Sequence, residues 1–464
     1  MAAISFLGDL LQTVTDRGRG LIGLARAEGA AKASPADLVS LCEDLLSRRG
    51  EASGVALAHL ILERYAALTE PERDAFLRRA ATSFGADHAA VEAAIAAYRD
   101  DPSRAALGQL HEAAEPRSQE LIRRLNLAPR GTLALVRMRE DLFALRARLA
   151  KEPQPAPAEP ALREAADALD ADFAHLFSSW FNRGFLVLRR IDWTSPAHIL
   201  EKIIRYEAVH EISDWDDLRR RTEPADRRCF AFFHPALSDE PLIFVEVALT
   251  PAIPDAIGPI LAERRPVVAP DAFTTAVFYS ISNCQKGLAG VSFGNFLIKQ
   301  VVEDLRREMP GLKTFVTLSP VPGFRRWLDR ERALGHLPAD DVETLRVLDI
   351  PGWDAEPARA EAVRRAVMPA AAAYFLRAKS GGGRPLDPVA RFHLGNGARL
   401  ERLNFLGDRS AKGFSQSHGL MVNYLYDLAQ IERNHEAYAD GGTVTAAPAV
   451  SRELRPERAP AEEA

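Results

Sequence analysis

The stretch between residues 275 and 324 constrains the fold more than any other part of the chain. Its first part, Thr275–Ser282, is rich in β-branched and aromatic residues and predicts a strand. A glycine-containing loop, Gln285–Gly290, follows, and apolar residues then recur at helical spacing over Phe293–Leu305. Lys313–Leu318 predicts a second strand. Since a loop between a strand and a helix presents free backbone N–H groups, this one predicts an anion site suited to a pyrophosphate.

The N-terminal part of the chain has a helical pattern almost throughout. Residues 1–182 are rich in Ala, Leu, Arg and Glu, and helix starts are marked by a small polar residue before proline and acid at Ser34 and Thr69. A proline-rich connector at residues 151–160 interrupts the pattern. We therefore predict that residues 1–182 form an all-α helical bundle.

Beyond residue 183 the pattern changes to short apolar runs that alternate with helical segments. Strand-like runs occur at Phe185–Leu188, Arg228–Phe233 and Leu242–Leu249. Residues 183–440 therefore predict an α/β domain with a mixed sheet. Residues 441–464, with their Gly, Ala, Pro, Arg and Glu, predict a disordered tail.

Composition excludes several classes of partner. The net charge of −5 over 464 residues argues against general nucleic-acid binding and against binding to anionic membranes. No apolar run approaches the roughly 18 residues that a membrane span needs. The three cysteines, Cys42, Cys229 and Cys284, are far apart and form no C-x-x-C motif. They predict free thiols in a reducing compartment, and hence a cytoplasmic protein.

Three segments combine residues that could carry chemistry. In Ser319–Gly323 two prolines hold a serine on a stiff corner. In Phe392–Gly397 a lone histidine precedes an Asn-Gly turn, and Ser417–Tyr426 is dense in polar and aromatic groups. Each also has a structural interpretation: a serine before proline usually caps a turn, and a lone histidine is usually a hydrogen-bonded core residue. His210 and His418 lack the partners of a metal motif, so no metal site is predicted.

The same three regions resemble the malonyl-CoA decarboxylase family, and they occur in the family's order. The matching segments are Phe315–Phe324, Phe392–Ala398 and Gly419–Tyr426, and the resemblance is strongest from Trp180 onward. It implies a helical N-terminal domain that contributes to oligomer contacts, so that the protein is a homo-oligomer, either a dimer or a tetramer. It further implies a C-terminal catalytic domain with the GNAT (N-acetyltransferase-like) fold, which binds coenzyme A.

The resemblance also implies the reaction and its residues. Malonyl-CoA loses CO2 and leaves acetyl-CoA, with no metal and no organic cofactor. The catalytic serine falls on Ser319 and the catalytic histidine on His393, with supporting groups at Ser280 and Tyr426. Malonyl-CoA is bound by Ser319 and His393 and by the loop residues Ala289, Gly290, Val291, Ser292, Phe293, Gly294 and Asn295. Family members carry glutamate where Ser292 stands.

Elementary chemistry gives these residues their expected tasks. Loss of CO2 from a malonyl thioester leaves an enolate, whose charge needs preplaced donors and whose carbon needs a proton. His393 is the expected proton donor, and Ser319 is expected to exchange its proton with His393. Two alternatives share the same binding groups. One is an acyltransferase that moves an acyl group from coenzyme A to an amine, and the other is a non-catalytic acyl-CoA sensor.

Overall fold

The structure is a computed structural model that describes residues 34–47, 50–151, 159–266, 268–291 and 297–455. The chain forms two compact units. The first contains the residues up to Val187, together with Phe233–Pro241 and the described loop at 285–291. The second contains Leu188–Phe232, Leu242–Cys284 and the described residues from 297 onward.

Helices build the first unit, as the sequence predicts. A capping box begins the third of them: the Glu72 carboxylate accepts from the backbone N–H of Thr69 at 2.7 Å, and the Thr69 side chain accepts from the backbone N–H of Glu72. Leu142 and Leu145 are fully buried in the core of the unit. The helices in the described residues are α1 Pro35–Ser47, α2 Glu51–Ala67, α3 Glu70–Ser83, α4 His88–Asp100, α5 Arg104–Ala114, α6 Arg117–Asn126, α7 Gly131–Lys151 and α8 Glu159–Trp180.

The glycine loop packs directly on α7. The guanidinium of Arg139, which is 3% exposed, donates to the carbonyl oxygens of Gly287 at 2.9 Å and Ala289 at 3.1 Å. The N–H of Gly287 donates to the Glu140 carboxylate at 3.1 Å. A Cβ at position 287 would lie 1.9 Å from the carbonyl oxygen of Val136. Glycine is therefore required here by the close approach of the helix backbone.

Replacing Gly287 with alanine is expected to lower the free energy of unfolding of the first unit by about 3 kcal/mol, because backbone atoms must move to admit the methyl group. Denaturant unfolding measures the change. Gly54→Ala, within α2, is the matched control, since a Cβ there meets nothing within 4 Å and alanine favours the helix by about 1 kcal/mol. Equal stability of the two variants would contradict the close approach.

The second unit is built on one mixed sheet. In the described residues its strand order is β1-β2-β3-β4-β5-β8-β6, with β7 also paired to β8. The pairing of β4 with β5 is parallel, whereas β3 with β4, and β8 with its three partners, are antiparallel. The strands are β1 Val187–Ile191, β2 Arg227–Phe233, β3 Pro241–Thr250, β4 Thr275–Asn283, β5 Thr314–Thr317, β6 Ser319–Pro320, β7 Arg399–Asn404 and β8 Met421–Leu425.

Helices surround this sheet, and apolar strand residues form its core. Val277, Val316 and Met421, from three different strands, are fully buried in one cluster. The predicted architecture of a helical region followed by a mixed α/β sheet is confirmed. The helices are α9 Ala197–Tyr206, α10 Trp215–Thr222, α11 Gly258–Leu261, α12 Leu297–Glu308, α13 Phe324–Ala333, α14 Ala339–Leu345, α15 Pro357–Leu376, α16 Pro388–Gly395, α17 Ala411–Ser417, α18 Ile431–Gly441 and α19 Pro448–Glu453. Among the helices of the described residues, none has the length and apolarity to cross a membrane.

The prediction of a disordered tail from residue 441 is wrong for its first part. Ala446 forms a bridge with Leu400 of β7, and α19 follows. Val450 of α19 is 1% exposed. The composition of the tail is polar overall, but its few apolar residues have a surface to pack against, and this burial offsets the ordering entropy. Residues 456–464 lie outside the described residues.

Candidate active site

Ser319 lies where two parallel strands separate. The register between β4 and β5 ends at the pair Phe278 and Thr317, and the N–H of Leu318 still donates to the carbonyl oxygen of Phe278 at 3.0 Å. The chain then turns to pair with β8, so that Ser319 lies opposite Val422. Because a residue before proline is restricted to extended backbone, the serine is held in this conformation. The stiff corner predicted from the sequence is therefore the point at which the sheet opens.

A cavity of about 230 Å³ occupies this region of the second unit. The half of β4 beyond Phe278 forms one wall, the Ser319 corner another, and the start of α16 a third. Most of the lining is apolar, and Asn283, Ser319 and His393 supply hydrogen-bonding side chains. Neither lysine nor arginine occurs among the described residues that line it, which are Val209, Phe278, Tyr279, Ile281, Asn283, Ser319, Pro320, Pro388, Val389, Phe392 and His393.

His393 contacts Ser319 at the surface of this cavity. Its Nε2 lies 3.3 Å from the Ser319 hydroxyl oxygen, and its Nδ1 lies 2.8 Å from the hydroxyl oxygen of Tyr426. Asp387 caps the helix that carries the histidine by accepting from the N–H of Ala390 at 2.8 Å. The structure thus brings together three of the four predicted catalytic residues, although 74 positions separate Ser319 and His393 in the chain.

Burial determines the protonation states of His393 and Tyr426. His393 is 3% exposed, and its burial lowers the pKa of the imidazole to about 3. The imidazole is therefore neutral at physiological pH. Burial also raises the pKa of the Tyr426 hydroxyl well above its usual value, so that the phenol keeps its proton. His393 and Tyr426 are therefore both neutral hydrogen-bonding groups.

Thr317 and Tyr424 also belong to this arrangement, although the sequence analysis did not assign them to the site. The Ser319 hydroxyl donates to the hydroxyl oxygen of Thr317 at 2.9 Å. The ring of Tyr424 stacks on the His393 imidazole, with centroids 4.6 Å apart and an interplanar angle of 27°. The two-residue spacing of Thr317 and Ser319 was a usable signal, since alternate residues of an extended chain share one face. The contact of Tyr424 with a distant helix had no such signal.

Ser280, the fourth predicted catalytic residue, is bonded elsewhere. It is 1% exposed and does not line the cavity. Its hydroxyl lies 2.8 Å from both carboxylate oxygens of Glu207, which also accepts from the hydroxyl of Ser282 at 3.2 Å. The same carboxylate accepts from the N–H groups of Val209 at 2.8 Å and His210 at 2.7 Å. Glu207 thereby ties β4 to the segment that carries Val209, a cavity-lining residue.

The hydrogen bonds that Glu207 accepts from Ser280, Ser282, Val209 and His210, here called the Glu207 clamp, give a testable expectation for Ser280. Because the carboxylate accepts several hydrogen bonds, Glu207→Gln should lower the free energy of unfolding by about 2 kcal/mol. Ser280→Ala should lower stability less, and it should reduce kcat far less than Ser319→Ala does. Thermal unfolding and steady-state kinetics on malonyl-CoA measure both. If Ser280→Ala abolishes turnover at unchanged stability, Ser280 acts on the substrate directly, and its hydrogen bond to Glu207 is not its main role.

The described part of the predicted binding loop, Ala289–Val291, belongs to the first unit. Of its residues, Ala289, Gly290 and Val291 are described, whereas Ser292, Phe293, Gly294 and Asn295 lie outside the described residues. The N–H groups of Ala289 and Val291 donate within the loop to Lys286 and Leu288. The backbone of Gly290 has a φ of 80°. The role of this loop in binding coenzyme A stays a prediction.

Two family models match the chain. The malonyl-CoA decarboxylase N-terminal domain matches residues 84–181, and the malonyl-CoA decarboxylase C-terminal domain matches residues 184–464. The chain belongs to the malonyl-CoA decarboxylase family. The family predicted from the sequence motifs is confirmed, and with it the enzyme class, a carboxy-lyase.

Individual members of the malonyl-CoA decarboxylase family agree along most of the chain. The mitochondrial malonyl-CoA decarboxylase of Rattus norvegicus is 36% identical over 414 residues, which cover 82% of each chain. The crystal structure of malonyl-CoA decarboxylase from Rhodopseudomonas palustris is 60% identical, covers 90% of this chain and 100% of its own, and superposes with a TM-score of 0.84. That from Cupriavidus metallidurans is 37% identical, covers 90% and 99%, and has a TM-score of 0.67.

Proposed function

We propose that the protein decarboxylates malonyl-CoA to acetyl-CoA in the cavity between β4 and the Ser319 corner. The observation that carries this proposal is the Ser319–His393 contact of 3.3 Å at the surface of that cavity. A serine hydroxyl and a neutral imidazole supply the two things that the reaction needs, namely a hydrogen bond to a developing charge and a proton for carbon.

The apolar lining favours loss of the carboxylate. No cation lines the cavity among the described residues, and the side chains of Val209, Ile281 and Val389 form parts of its wall. A lysine or arginine would stabilise the substrate carboxylate more than the transition state, in which the charge has moved toward the thioester oxygen. Neutral donors such as Ser319 do not stabilise the substrate carboxylate in this way, and they can hydrogen-bond to the thioester oxygen as the charge moves there.

The hydrogen bonds indicate which nitrogen of His393 carries the proton. Tyr426 keeps its hydroxyl hydrogen, and its partner among the described residues is Nδ1 at 2.8 Å. The phenol therefore donates and Nδ1 accepts. Since a neutral imidazole has one N–H, that hydrogen is on Nε2 and points to Ser319. His393 thus stays the expected proton donor, and in its contact with Ser319 we propose that the imidazole donates the hydrogen bond.

The proposed reaction then balances in atoms and electrons. The bond between the carboxylate carbon and the α-carbon breaks, CO2 leaves, and the electron pair forms the enolate of the thioester. The enolate carbon takes the proton from Nε2 of His393, while the hydroxyl proton of Tyr426 moves to Nδ1. After acetyl-CoA leaves, Nε2 regains a proton from solvent and Nδ1 returns its proton to Tyr426, so the starting state is restored and each turnover consumes one proton. Among the described lining residues, the donors available to the enolate oxygen are the carboxamide of Asn283 and Ser319, whose hydroxyl hydrogen turns from Thr317 to the substrate once the thioester is bound.

The open half of β4 suggests how the substrate enters. Beyond Phe278 this strand pairs with β3, while β5 has turned away, and residues of that half line the cavity. A strand edge of this kind presents backbone N–H and C=O groups. We propose that the amide groups of the pantetheine arm bind along it, which would place the thioester beside Ser319 and His393.

Product analysis tests the proposal. The purified protein is incubated with malonyl-CoA in D2O, and CO2 and the acetyl thioester are quantified. We expect one CO2 per acetyl-CoA, with one solvent deuterium in the methyl group and no loss of rate on treatment with EDTA. Acyl transfer to an added amine would instead identify an acyltransferase. Tight binding of acyl-CoA with no CO2 would identify a sensor.

Three further features remain proposals. We propose that the reaction needs no metal and no organic cofactor; in the described residues no cluster of three or more His, Cys, Asp or Glu is placed to hold a metal ion. We propose a cytoplasmic location, since Cys42, Cys229 and Cys284 are buried and form no disulfide in the described residues, as in a reducing compartment. We also propose a homo-oligomer, a dimer or a tetramer, whose mass light scattering would give.

A further inference from the structure

Thr317 is the last residue of β5 and is completely buried. Its hydroxyl oxygen accepts a hydrogen bond from the Ser319 hydroxyl at 2.9 Å and a second from the backbone N–H of Tyr424 at 3.1 Å. Its carbonyl oxygen accepts from the side chain of Asn423 at 2.7 Å. Because threonine is β-branched, its χ1 rotation is restricted. The hydroxyl oxygen at position 317 is therefore fixed from several sides.

We propose that Thr317 is a positioning residue of the decarboxylation site, which binds the hydroxyl hydrogen of Ser319 and thereby makes His393 the hydrogen-bond donor toward Ser319. This inference rests on the proposed function, in which Nε2 of His393 delivers the proton.

The Ser319 hydroxyl has one hydrogen, and it points to Thr317. The serine oxygen can then only accept from His393, whose Nε2 lies 3.3 Å away. Without the oxygen at 317, the serine hydrogen would turn to Nε2, its remaining acceptor among the described residues. The imidazole proton would then be on Nδ1, facing Tyr426 instead of the substrate.

A second contact links Thr317 to the other side of the imidazole. Tyr424, whose N–H donates to the Thr317 hydroxyl, stacks its ring on His393 with centroids 4.6 Å apart. The Thr317 hydroxyl oxygen thus fixes both the Ser319 hydroxyl and the backbone of Tyr424, on whose ring His393 stacks. Thr317 and Tyr424 are both 0% exposed, so this oxygen is enclosed by protein on all sides.

Two variants of Thr317 separate positioning from packing. Thr317→Val keeps the shape and removes the oxygen, whereas Thr317→Ser keeps the oxygen and removes a methyl group. We expect Thr317→Val to lower kcat about 100-fold, as displacement of a reacting group does, and Thr317→Ser to retain most of the activity. The imidazole nitrogens of histidine-labelled protein are observed by 15N NMR, and the signals of His393 are assigned by their loss in His393→Gln.

The spectra report the inference directly. The wild type and Thr317→Ser should carry the proton on Nε2, and Thr317→Val should carry it on Nδ1. A wild-type signal with the proton on Nδ1 overturns the inference, and this measurement does not depend on the folding of any variant. It is also overturned if Thr317→Val keeps both the Nε2 proton and wild-type turnover, or if Thr317→Ser loses as much activity as Thr317→Val.

Failure of this inference can be told from failure of the proposed function. If the proposed function is wrong, the wild-type protein releases no CO2 from malonyl-CoA. If only the role of Thr317 is wrong, the wild type turns over, Ser319→Ala remains impaired, and Thr317→Val behaves like the wild type.

Discussion

Replacing His393 with glutamine is expected to lower kcat for CO2 release by about 1,000-fold, the range of a lost general acid. Glutamine has a similar size and can still donate a hydrogen bond to Ser319, but it cannot deliver a proton to carbon and recover it from Tyr426. The geometry behind this expectation is the pair of contacts on the two imidazole nitrogens, 3.3 Å to Ser319 and 2.8 Å to Tyr426. Steady-state release of CO2 measures the effect.

Binding should survive this substitution. Glutamine leaves the cavity wall in place, so the affinity for malonyl-CoA, measured by calorimetry with the inactive variant, is expected to change little. His435→Gln is a suitable control, because His435 lies on α18 and bonds to the carbonyl oxygen of Gly395 without lining the cavity. If His393→Gln turned over within a few-fold of the wild type, His393 would not be the proton donor.

The pH dependence of His393 has a definite sign. Its pKa of about 3 lies below the ordinary value near 6.5, so the imidazole stays neutral and kcat should show no titration of His393 between pH 6 and 8. The unfolded chain binds a proton at this residue below about pH 6.5, whereas the folded protein does not. Stability is therefore lost as the pH falls below that value. In His393→Gln this part of the stability loss should be absent, as denaturant unfolding at pH 7 and pH 5 would show.

The second large effect is expected from Ser319→Ala, which should lower kcat about 100-fold with a small change in KM. The substitution removes the hydroxyl that contacts Nε2 of His393 and the hydroxyl oxygen of Thr317. It thereby removes a donor to the enolate and the group that orients the imidazole proton. Ser415→Ala is the control, because Ser415 is exposed and its hydroxyl donates to the carbonyl oxygen of Lys412 in its own helix.

A double variant sharpens this test. Because Ser319 and His393 are proposed to act as one unit, Ser319→Ala combined with His393→Gln should lose about as much activity as His393→Gln alone. Losses that multiply would show two independent contributions. Such a result would contradict the proposed hydrogen-bonded pair, whatever the size of each single effect.

Much of this site follows from local sequence. The proline after Ser319 predicts an extended corner, and that corner lies where β4 and β5 separate. The family resemblance identified His393 and Tyr426, which the fold brings within hydrogen-bond distance of one another. The helix start at Thr69 also follows from local rules, since its capping box involves residues three positions apart.

Other features depend on contacts between distant segments, and no local pattern predicts those. Ser280 hydrogen-bonds to Glu207, which lies 73 positions away in the chain, so its hydroxyl contacts a carboxylate and does not line the cavity. The glycine loop packs on α7, where Arg139 donates to a carbonyl oxygen 148 positions away. Val450 is buried although the sequence around it reads as a tail. In each case tertiary packing decided what composition and spacing left open.

The most direct measurement is a crystal structure of the protein with a non-reactive malonyl-CoA analogue bound. The account predicts the acyl group in the cavity beside β4, with an oxygen of it within about 3 Å of the Ser319 hydroxyl and the α-carbon facing Nε2 of His393. An acyl group lodged elsewhere, with Ser319 and His393 bonded to each other and to no atom of the ligand, would contradict it.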